Sequence, residues 1–156
     1  MAKPRIAITA TVTDCDIWLA DWIAHHVQVA DQLFIWLDNP DELAAAEALR
    51  ADNVSILPGQ QFTRPSRLTQ ILERQDANAD AALQLSAMAG FDWLVHVDAD
   101  ELVVPLDPEV WATPAPQLTL TNHECVPVWA SDHPLRDVTH FKVNGMHPFL
   151  LYGNGK

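Results

Sequence analysis

Apolar residues fall into short runs along the first part of the chain, and segments with helical spacing separate these runs. The runs are Ile6–Val12, Gln32–Leu37, Val54–Leu57 and the stretch that opens at Trp93. Short apolar runs rich in β-branched residues predict strands that are buried in a parallel sheet. Because strand and helix alternate, the pattern predicts an α/β domain built from βαβ units.

The segments between the runs have the periodicity of amphipathic helices. They span residues 17–30, 44–51 and 66–89. In the first, Leu19, Ile23 and Val27 form an apolar stripe that we expect to pack on the sheet, and Trp22 widens it. The third ends before Gly90, a residue type that commonly terminates helices.

Beyond residue 104 the pattern changes, because prolines interrupt it. They are Pro105, Pro108, Pro114 and Pro116. The segments Leu118–Thr121 and Val126–Trp129 predict short antiparallel strands joined by loops. A chain of 156 residues supports one domain with a core, and no internal repeat or low-complexity segment is visible.

Three acids, Asp98, Asp100 and Glu101, close the apolar run that begins at Trp93. Residues two apart lie on one side of an extended segment, so Asp98 and Asp100 are expected to converge on one cation. Carboxylate oxygens suit Mg²⁺ or Mn²⁺, which complete their shells with waters and substrate phosphates. The pattern favours a metal that bridges protein and diphosphate. The alternative is that the same acids cap a turn or the next helix.

The formal net charge of −12 disfavours polyanionic partners. Nucleic acid and anionic membrane both need basic surface, so neither is expected to bind. A bound divalent cation would reverse the local field, which leaves a small phosphate-bearing ligand compatible with the charge. The N-terminal apolar run is too short for a signal peptide or a membrane span, and we expect no transmembrane segment and a cytoplasmic location. Cys15 and Cys125 are far apart in sequence and predict neither a zinc site nor a disulfide.

Several motifs occur in an order that is more specific than the acids alone. Asp21–His26 matches a Glu-Trp-(Ile/Leu)-x-His-His stretch, and Trp93–Leu102 matches a Trp-Leu-x-x-x-Asp-x-Asp-Glu-(Phe/Leu) signature. Between them lie the strand Leu33–Leu37 and a long helix that carries Arg74 and Asn78. In these features the chain resembles the GT-A nucleotide-sugar glycosyltransferases related to family 2.

The resemblance implies a Rossmann-like GT-A fold, a three-layer sandwich with a mostly parallel central sheet. Residues 1–156 would form a single domain, with 1–104 as the nucleotide-sugar-binding half and 105–156 as a partial acceptor-side half. It also implies a metal-dependent transferase that takes a nucleotide-diphosphate sugar, uses Mn²⁺ or Mg²⁺, and acts on a glycan, lipid or protein acceptor. Members of this family are longer, so the chain is expected to be a fragment or a shortened form.

The candidate site residues come from these motif positions and from residue chemistry. Donor binding is assigned to Asp38, Arg74, Asn78 and Asp98, the metal to Asp98, Asp100 and His147, and the role of general base to Glu124. A pure turn role for Asp38 and an ordinary solvated charge for Arg74 stay open as alternatives. The rivals of His147 as a late metal ligand are His123, His133 and His140.

Three other histidines are expected to be structural. His25 and His26 are adjacent on a helix and point to different faces, so they cannot chelate one ion together. His96 is expected to be a buried, hydrogen-bonded strand residue on the face of Asp98. One departure from the family is Thr13–Cys15, which stands where relatives carry Arg-Asn-Glu or Lys-Asn-Glu, so the usual contact of that loop is not expected.

Two other functions stay open. One is a truncated, non-catalytic module that binds a nucleotide sugar without transferring it. The other is a phosphohydrolase of the haloacid-dehalogenase type, because an apolar strand that ends in Asp98-Ala99-Asp100 also resembles the nucleophile motif of that family. That fold places the motif near its start and needs a later lysine and acidic pair, which makes it the weaker alternative.

Overall fold

The computed structural model describes residues 3–13, 17–61, 67–126, 134–137 and 139–141. The chain divides into two compact units, Met1–Thr113 and Pro114–Lys156. The first unit contains a β-sheet, and it carries most of the candidate site residues.

The described residues of the first unit form one sheet of four parallel strands. The strands are β1 (Ile6–Val12), β2 (Gln32–Leu37), β3 (Val54–Pro58) and β4 (Trp93–His96). Their order is β3-β2-β1-β4, with Ile8 paired to Leu33 on one side and to Val95 on the other. The prediction of an α/β, Rossmann-like fold with a parallel sheet is confirmed.

The strand order reverses direction at β1. The chain first adds β2 and β3 on one side of β1 and then crosses back to place β4 on the other side. In open parallel sheets, ligands bind beyond the carboxyl ends of the strands at such a reversal, because the connecting loops diverge there and leave a crevice. A ligand-binding site is therefore expected at the carboxyl ends of β1 and β4.

The helices differ in length from the sequence prediction. α1 is Ile17–His26 and ends four residues before the predicted Ala30. Residues 27–29 turn instead, and the Asp31 amide donates to the Ile6 carbonyl at 2.8 Å, which starts the pairing of β1 with β2. The helix ends before residue 27 because the chain turns there and enters β2 at Gln32.

The second helical segment is a composite. It consists of a 3₁₀ turn, Pro40–Glu42, then α2 (Leu43–Ala46), then a second 3₁₀ turn, Glu47–Leu49. Asn39 caps its start by accepting a hydrogen bond from the Asp41 amide at 3.2 Å. The predicted helix over 44–51 starts within one residue of α2, but only four residues are α-helical, because 3₁₀ turns precede and follow them.

The long helix α3, Arg67–Met88, is confirmed, and so is its glycine terminator. Gly90 has φ of 73°, and its amide donates to Ala87 while the Phe91 amide donates to Ser86. This pair of hydrogen bonds is a Schellman motif, which satisfies the last carbonyls of the helix. Arg5 adds a further cap by donating to the Ala89 carbonyl at 2.8 Å.

One face of the sheet packs against α3. Ala7, Phe34 and Trp36 are buried there against Ala82 of the helix. Burial of these apolar groups is the main stabilising term for the unit, and it holds the helix across the strands.

The rest of the described chain is largely irregular. α4 (Pro108–Trp111) belongs to the first unit, and α5 (Pro134–Asp137) belongs to the second. The predicted strand Leu118–Thr121 is wrong, because residues 117–124 lie in no β-ladder or helix. The other predicted strand begins at Val126, whose amide donates to the His140 carbonyl at 2.8 Å, but residues 127–129 lie outside the described residues. Among the helices that the structure describes, none is both long and apolar enough to cross a membrane.

Candidate functional site

The acidic residues lie in a turn that follows β4. The Glu101 amide donates to the Asp98 carbonyl at 3.1 Å, and the Glu101 carboxylate accepts a hydrogen bond from the Asp98 amide at 3.0 Å. The side chains of Asp98 and Asp100 are exposed to solvent. We refer to Asp98–Glu101 as the acidic turn.

The prediction that Asp98 and Asp100 lie on one side of an extended segment is wrong. β4 ends at His96, so the alternation of an extended segment stops before the first acid. The alternative, in which these acids belong to a turn, describes the backbone correctly. His96 also differs from expectation, since it is exposed rather than buried.

The chemistry of the acidic turn fits a hard cation. Asp98 and Asp100 offer two exposed carboxylates, while the Glu101 carboxylate is engaged with the backbone of the turn. Within the described ranges, no three side chains of His, Cys, Asp or Glu converge as a metal cage would require. Two carboxylates suit an ion such as Mg²⁺, which usually keeps several waters and takes further oxygens from a phosphate ligand.

Side chains of helix α1 form hydrogen bonds with the backbone at the end of the acidic turn and just beyond it. The Trp22 indole N–H donates to the Glu101 carbonyl at 3.0 Å. The Nε2 atom of His25 donates to the Val103 carbonyl at 2.8 Å, and the Val103 amide donates to Nε2 of His26 at 3.1 Å. The structural role expected for the two histidines is therefore confirmed, and their partners are backbone atoms.

The hydrogen bonds of His26 define its tautomer. Its Nδ1 lies 2.9 Å from the Trp22 carbonyl, which can only accept, so Nδ1 carries the proton and Nε2 is the acceptor for Val103. The residue is fully buried, and its ring lies 3.9 Å from that of Trp22. Burial lowers the pKa of His26 from 6.5 to about 4, against the opposing effect of the Trp22 carbonyl and with a smaller contribution from neighbouring His25. The imidazole is therefore neutral near pH 7.

A second polar cluster lies at the carboxyl ends of β1, β2 and β3. Arg74 of α3 forms a bidentate ion pair with Asp38, with Nε–Oδ1 and Nη2–Oδ2 distances of 2.5 and 2.8 Å. Both side chains are mostly buried, with exposed fractions of 11% for Arg74 and 17% for Asp38. The hydrogen bond to Asp38 raises the pKa of Arg74, which stays charged. An ordinary solvated charge for Arg74 is excluded.

Asn78, one turn after Arg74 on α3, connects the helix to the end of β1 and to the chain after β3. Its Nδ2 donates to Thr11 Oγ1 at 3.1 Å, and its Oδ1 accepts from the Gln60 amide at 3.0 Å. Gln61 donates from its side chain to the Asp38 carbonyl at 2.8 Å. The exposed fraction of Asn78 is only 1%, so this amide acts mainly through the groups it positions.

Gly59 allows β2 and β3 to approach closely at this edge. Its amide donates to the Leu37 carbonyl at 2.8 Å, and a Cβ at this position would lie 2.6 Å from the same oxygen. Only glycine fits such a close backbone contact without a shift of one strand. The contact fixes the chain that leads into Gln60 and Gln61.

The predicted site residues are therefore only partly brought together. Asp38, Arg74 and Asn78 form one cluster, which we call the strand-end cluster, and Asp98 and Asp100 lie in the acidic turn. Glu124, His123 and His140 belong to the second unit. His147 and its rival His133 lie outside the described residues, as do Asp14 and Cys15 of the loop after β1.

Three residues beside the strand-end cluster were not predicted as part of the site. Thr11 was predicted only as part of the first strand, and Gly59 and Gln61 were not singled out. The signal for Gly59 was its place directly after a strand and proline. Nothing in the local sequence distinguishes Thr11 or Gln61 from other polar residues near a strand end.

The chain shows a distant similarity to a known protein. It is 26% identical, over 190 aligned positions, to a curated glycosyltransferase-like protein of Arabidopsis thaliana. The match covers 99% of this chain and 42% of the relative, so the chain spans less than half the length of that protein. No family model and no solved structure matches the chain.

Proposed function

We propose that this chain is the donor-binding part of a GT-A-like glycosyltransferase. It would bind a nucleotide-diphosphate sugar together with Mn²⁺ or Mg²⁺ and transfer the sugar to an acceptor. The observation that carries the proposal is the collection of polar and acidic side chains along one edge of a parallel sheet. Thr11, Asp38 and Asp98 each stand at or after the carboxyl end of a different strand, which is where such folds bind nucleotides.

The acidic turn would hold the cation through Asp98 and Asp100. When bound, the cation supplies positive charge beside the diphosphate and so favours its departure from the sugar. The protein carries a net charge of −12, which repels a diphosphate in the absence of a cation. Binding of the nucleotide is therefore expected to depend on the metal.

The strand-end cluster would bind the nucleotide itself. The two hydrogen bonds to Asp38 use two of the five N–H groups of Arg74, and the planar guanidinium can direct others toward ligand oxygens. Asn78 and Gln61 hold the neighbouring backbone, so the ion pair is presented in one arrangement. Glu124 remains the proposed general base for the acceptor hydroxyl.

A second candidate is donor binding without transfer. It is favoured by the division of the chain, since the strand-end cluster and the acidic turn lie in the first unit whereas Glu124 lies in the second. In this case the chain would bind the nucleotide sugar and release no product.

Calorimetric titration with UDP-sugars and GDP-sugars, with and without Mn²⁺, tests the proposal. Wild-type protein is expected to bind one of these nucleotides in a metal-dependent way, and Asp100→Asn is expected to bind it at least about tenfold more weakly. Asp80→Asn is the matched control, because it removes the same charge from an exposed position on α3. Absence of nucleotide binding by the wild type would contradict the proposal.

Product analysis separates the alternatives. Release of nucleoside diphosphate that depends on an acceptor supports transfer, and binding without release supports the second candidate. Hydrolysis of phosphate esters with a phospho-aspartate at Asp98 would instead support the phosphohydrolase.

A further inference from the structure

Helix α1 contacts residues 101 and 103 through the ring nitrogens of three side chains. Trp22 lies one helical turn before the adjacent residues His25 and His26, at positions i, i+3 and i+4. The two histidines point in different directions from the helix, yet both reach Val103. All three direct ring nitrogens to backbone atoms of Glu101 or Val103, which lie 77 to 79 residues later in the chain. These contacts fix the path of the backbone whatever side chains the segment carries.

The two histidines form hydrogen bonds with the two backbone groups of Val103. His25 donates to the carbonyl of Val103, and His26 accepts from its amide. Val103 is therefore held on both sides of its Cα atom, as it would be in a β-ladder. The Trp22 indole adds a third hydrogen bond at Glu101, the last residue of the acidic turn.

The entry to the acidic turn is fixed separately. The Val97 amide donates to the Thr9 carbonyl at 3.1 Å, which continues the pairing of β4 with β1. With the entry held by the sheet and the exit held by α1, the backbone of the turn has little freedom to rearrange. A preorganised pair of carboxylates binds a ligand more tightly, because less conformational entropy is lost on binding.

We infer that Trp22, His25 and His26 are positioning residues that hold the acidic turn in the geometry its ligand requires. The identity of that ligand as a metal ion with a nucleotide diphosphate rests on the proposed function. The positioning itself concerns the backbone of residues 98–103 and can be measured without any ligand.

His25 offers a matched pair of variants. A glutamine side chain places its terminal amide near the position of the imidazole Nε2, so His25→Gln can keep the hydrogen bond to Val103. An asparagine side chain reaches only as far as Nδ1, so His25→Asn loses it. Both variants are neutral and polar, and His25 is only partly buried, so both are expected to fold.

Amide hydrogen exchange measured by NMR is the first readout. In His25→Asn the Val103 amide keeps its own hydrogen bond to His26, but the segment loses the bond at the Val103 carbonyl and opens more easily. The Val103 amide is therefore expected to exchange about tenfold faster. In His25→Gln its exchange is expected to stay within about threefold of wild type. The amides of Val97 and Leu33, which are bonded within or beside the sheet, serve as internal references and are expected to be unchanged.

Affinity for Mn²⁺ and nucleotide is the second readout. The affinity is expected to fall in His25→Asn and to be restored in His25→Gln. Trp22→Phe, which removes the indole N–H but keeps an aromatic ring in the core, is expected to resemble His25→Asn. Equal behaviour of the two His25 variants at Val103, or equal acceleration at Leu33, would overturn the inference, and so would unchanged nucleotide affinity beside faster exchange.

Failure of the proposed function would look different. In that case the wild-type protein binds no nucleotide with Mn²⁺, whereas the exchange of Val103 in the two His25 variants still decides whether α1 positions the turn.

Discussion

His26 makes a hydrogen bond with each nitrogen of a neutral imidazole. Its Nδ1 donates within α1 to the Trp22 carbonyl, and its Nε2 accepts from the Val103 amide. A proton on Nε2 would face the N–H group of Val103 and break the second bond. The buried ring therefore resists protonation for two reasons, loss of hydration and loss of a hydrogen bond.

This leads to a prediction about stability and pH. The pKa of His26 is lowered in the folded protein, from 6.5 to about 4, so only the unfolded chain takes up a proton between these values. The contribution of neutral His26 to the free energy of unfolding is fully present above pH 6.5 and is lost as the pH falls toward 4. The total loss from this residue is about 3 kcal/mol.

His26→Gln provides the comparison, because glutamine can accept from Val103 but does not titrate. Urea denaturation of both proteins at pH 7 and pH 4 measures the free energies of unfolding. The advantage of wild type over the variant is expected to shrink by most of that amount at the lower pH. An advantage that is the same at both pH values would show that His26 does not titrate as described.

At the scale of the elements, β1, β2 and β3 were predicted to within one residue, whereas the end of β4 was not. β1 and β2 have the predicted bounds, because each pairs on both sides and buries a continuous apolar run. β4 pairs only with β1 among the described strands, and it stops at His96 although apolar residues continue to Val97. Sequence pattern reports burial, whereas the end of a strand depends on where its partner ends.

The same distinction explains what could be predicted of the site. The acids after β4 were found because they follow an apolar run, and Asp38 was assigned from the family resemblance, as part of the turn after the second strand. The pairing of Asp38 with Arg74 was not predicted, because 36 residues separate them and any face of α3 could have met the sheet. Only the packing of Ala82 and its neighbours against the sheet sets that face.

Two glycines give a prediction at this scale. Gly59→Ala forces a Cβ to within 2.6 Å of the Leu37 carbonyl, so the ends of β2 and β3 must separate. We expect the free energy of unfolding to fall by about 2 kcal/mol. Because Gln60 and Asn78 lie at the same edge, nucleotide affinity is expected to fall as well.

Gly90→Ala is the matched control for this change. Its cost comes from the positive φ of 73° rather than from a clash, since the nearest atom to a new Cβ, Nη1 of Arg5, would be 3.7 Å away. We expect a loss of about 1 kcal/mol with unchanged nucleotide affinity. Urea denaturation and nucleotide titration of both variants check this. A stable Gly59→Ala protein with normal affinity would contradict the role given to the close contact.

At the scale of the whole molecule, the residues proposed to bind the donor are concentrated in one unit. The sheet, the strand-end cluster, the acidic turn and the contacts from α1 all lie within Met1–Thr113. The residue proposed as general base, Glu124, lies in Pro114–Lys156. Binding and transfer are therefore expected to be separable by truncation.

We predict that a fragment of residues 1–113 folds and keeps the metal-dependent nucleotide affinity of the full chain to within about threefold. It contains the buried apolar cluster against α3 and both anchors of the acidic turn. Any sugar transfer by the full chain should disappear in the fragment, and Glu124→Gln in the full chain should reproduce that loss while leaving binding intact. Circular dichroism, calorimetry and product analysis measure the three properties. A folded fragment that binds nucleotide without responding to Mn²⁺, beside a full chain that does respond, would place an essential metal ligand beyond residue 113 and favour His147 or one of its rivals.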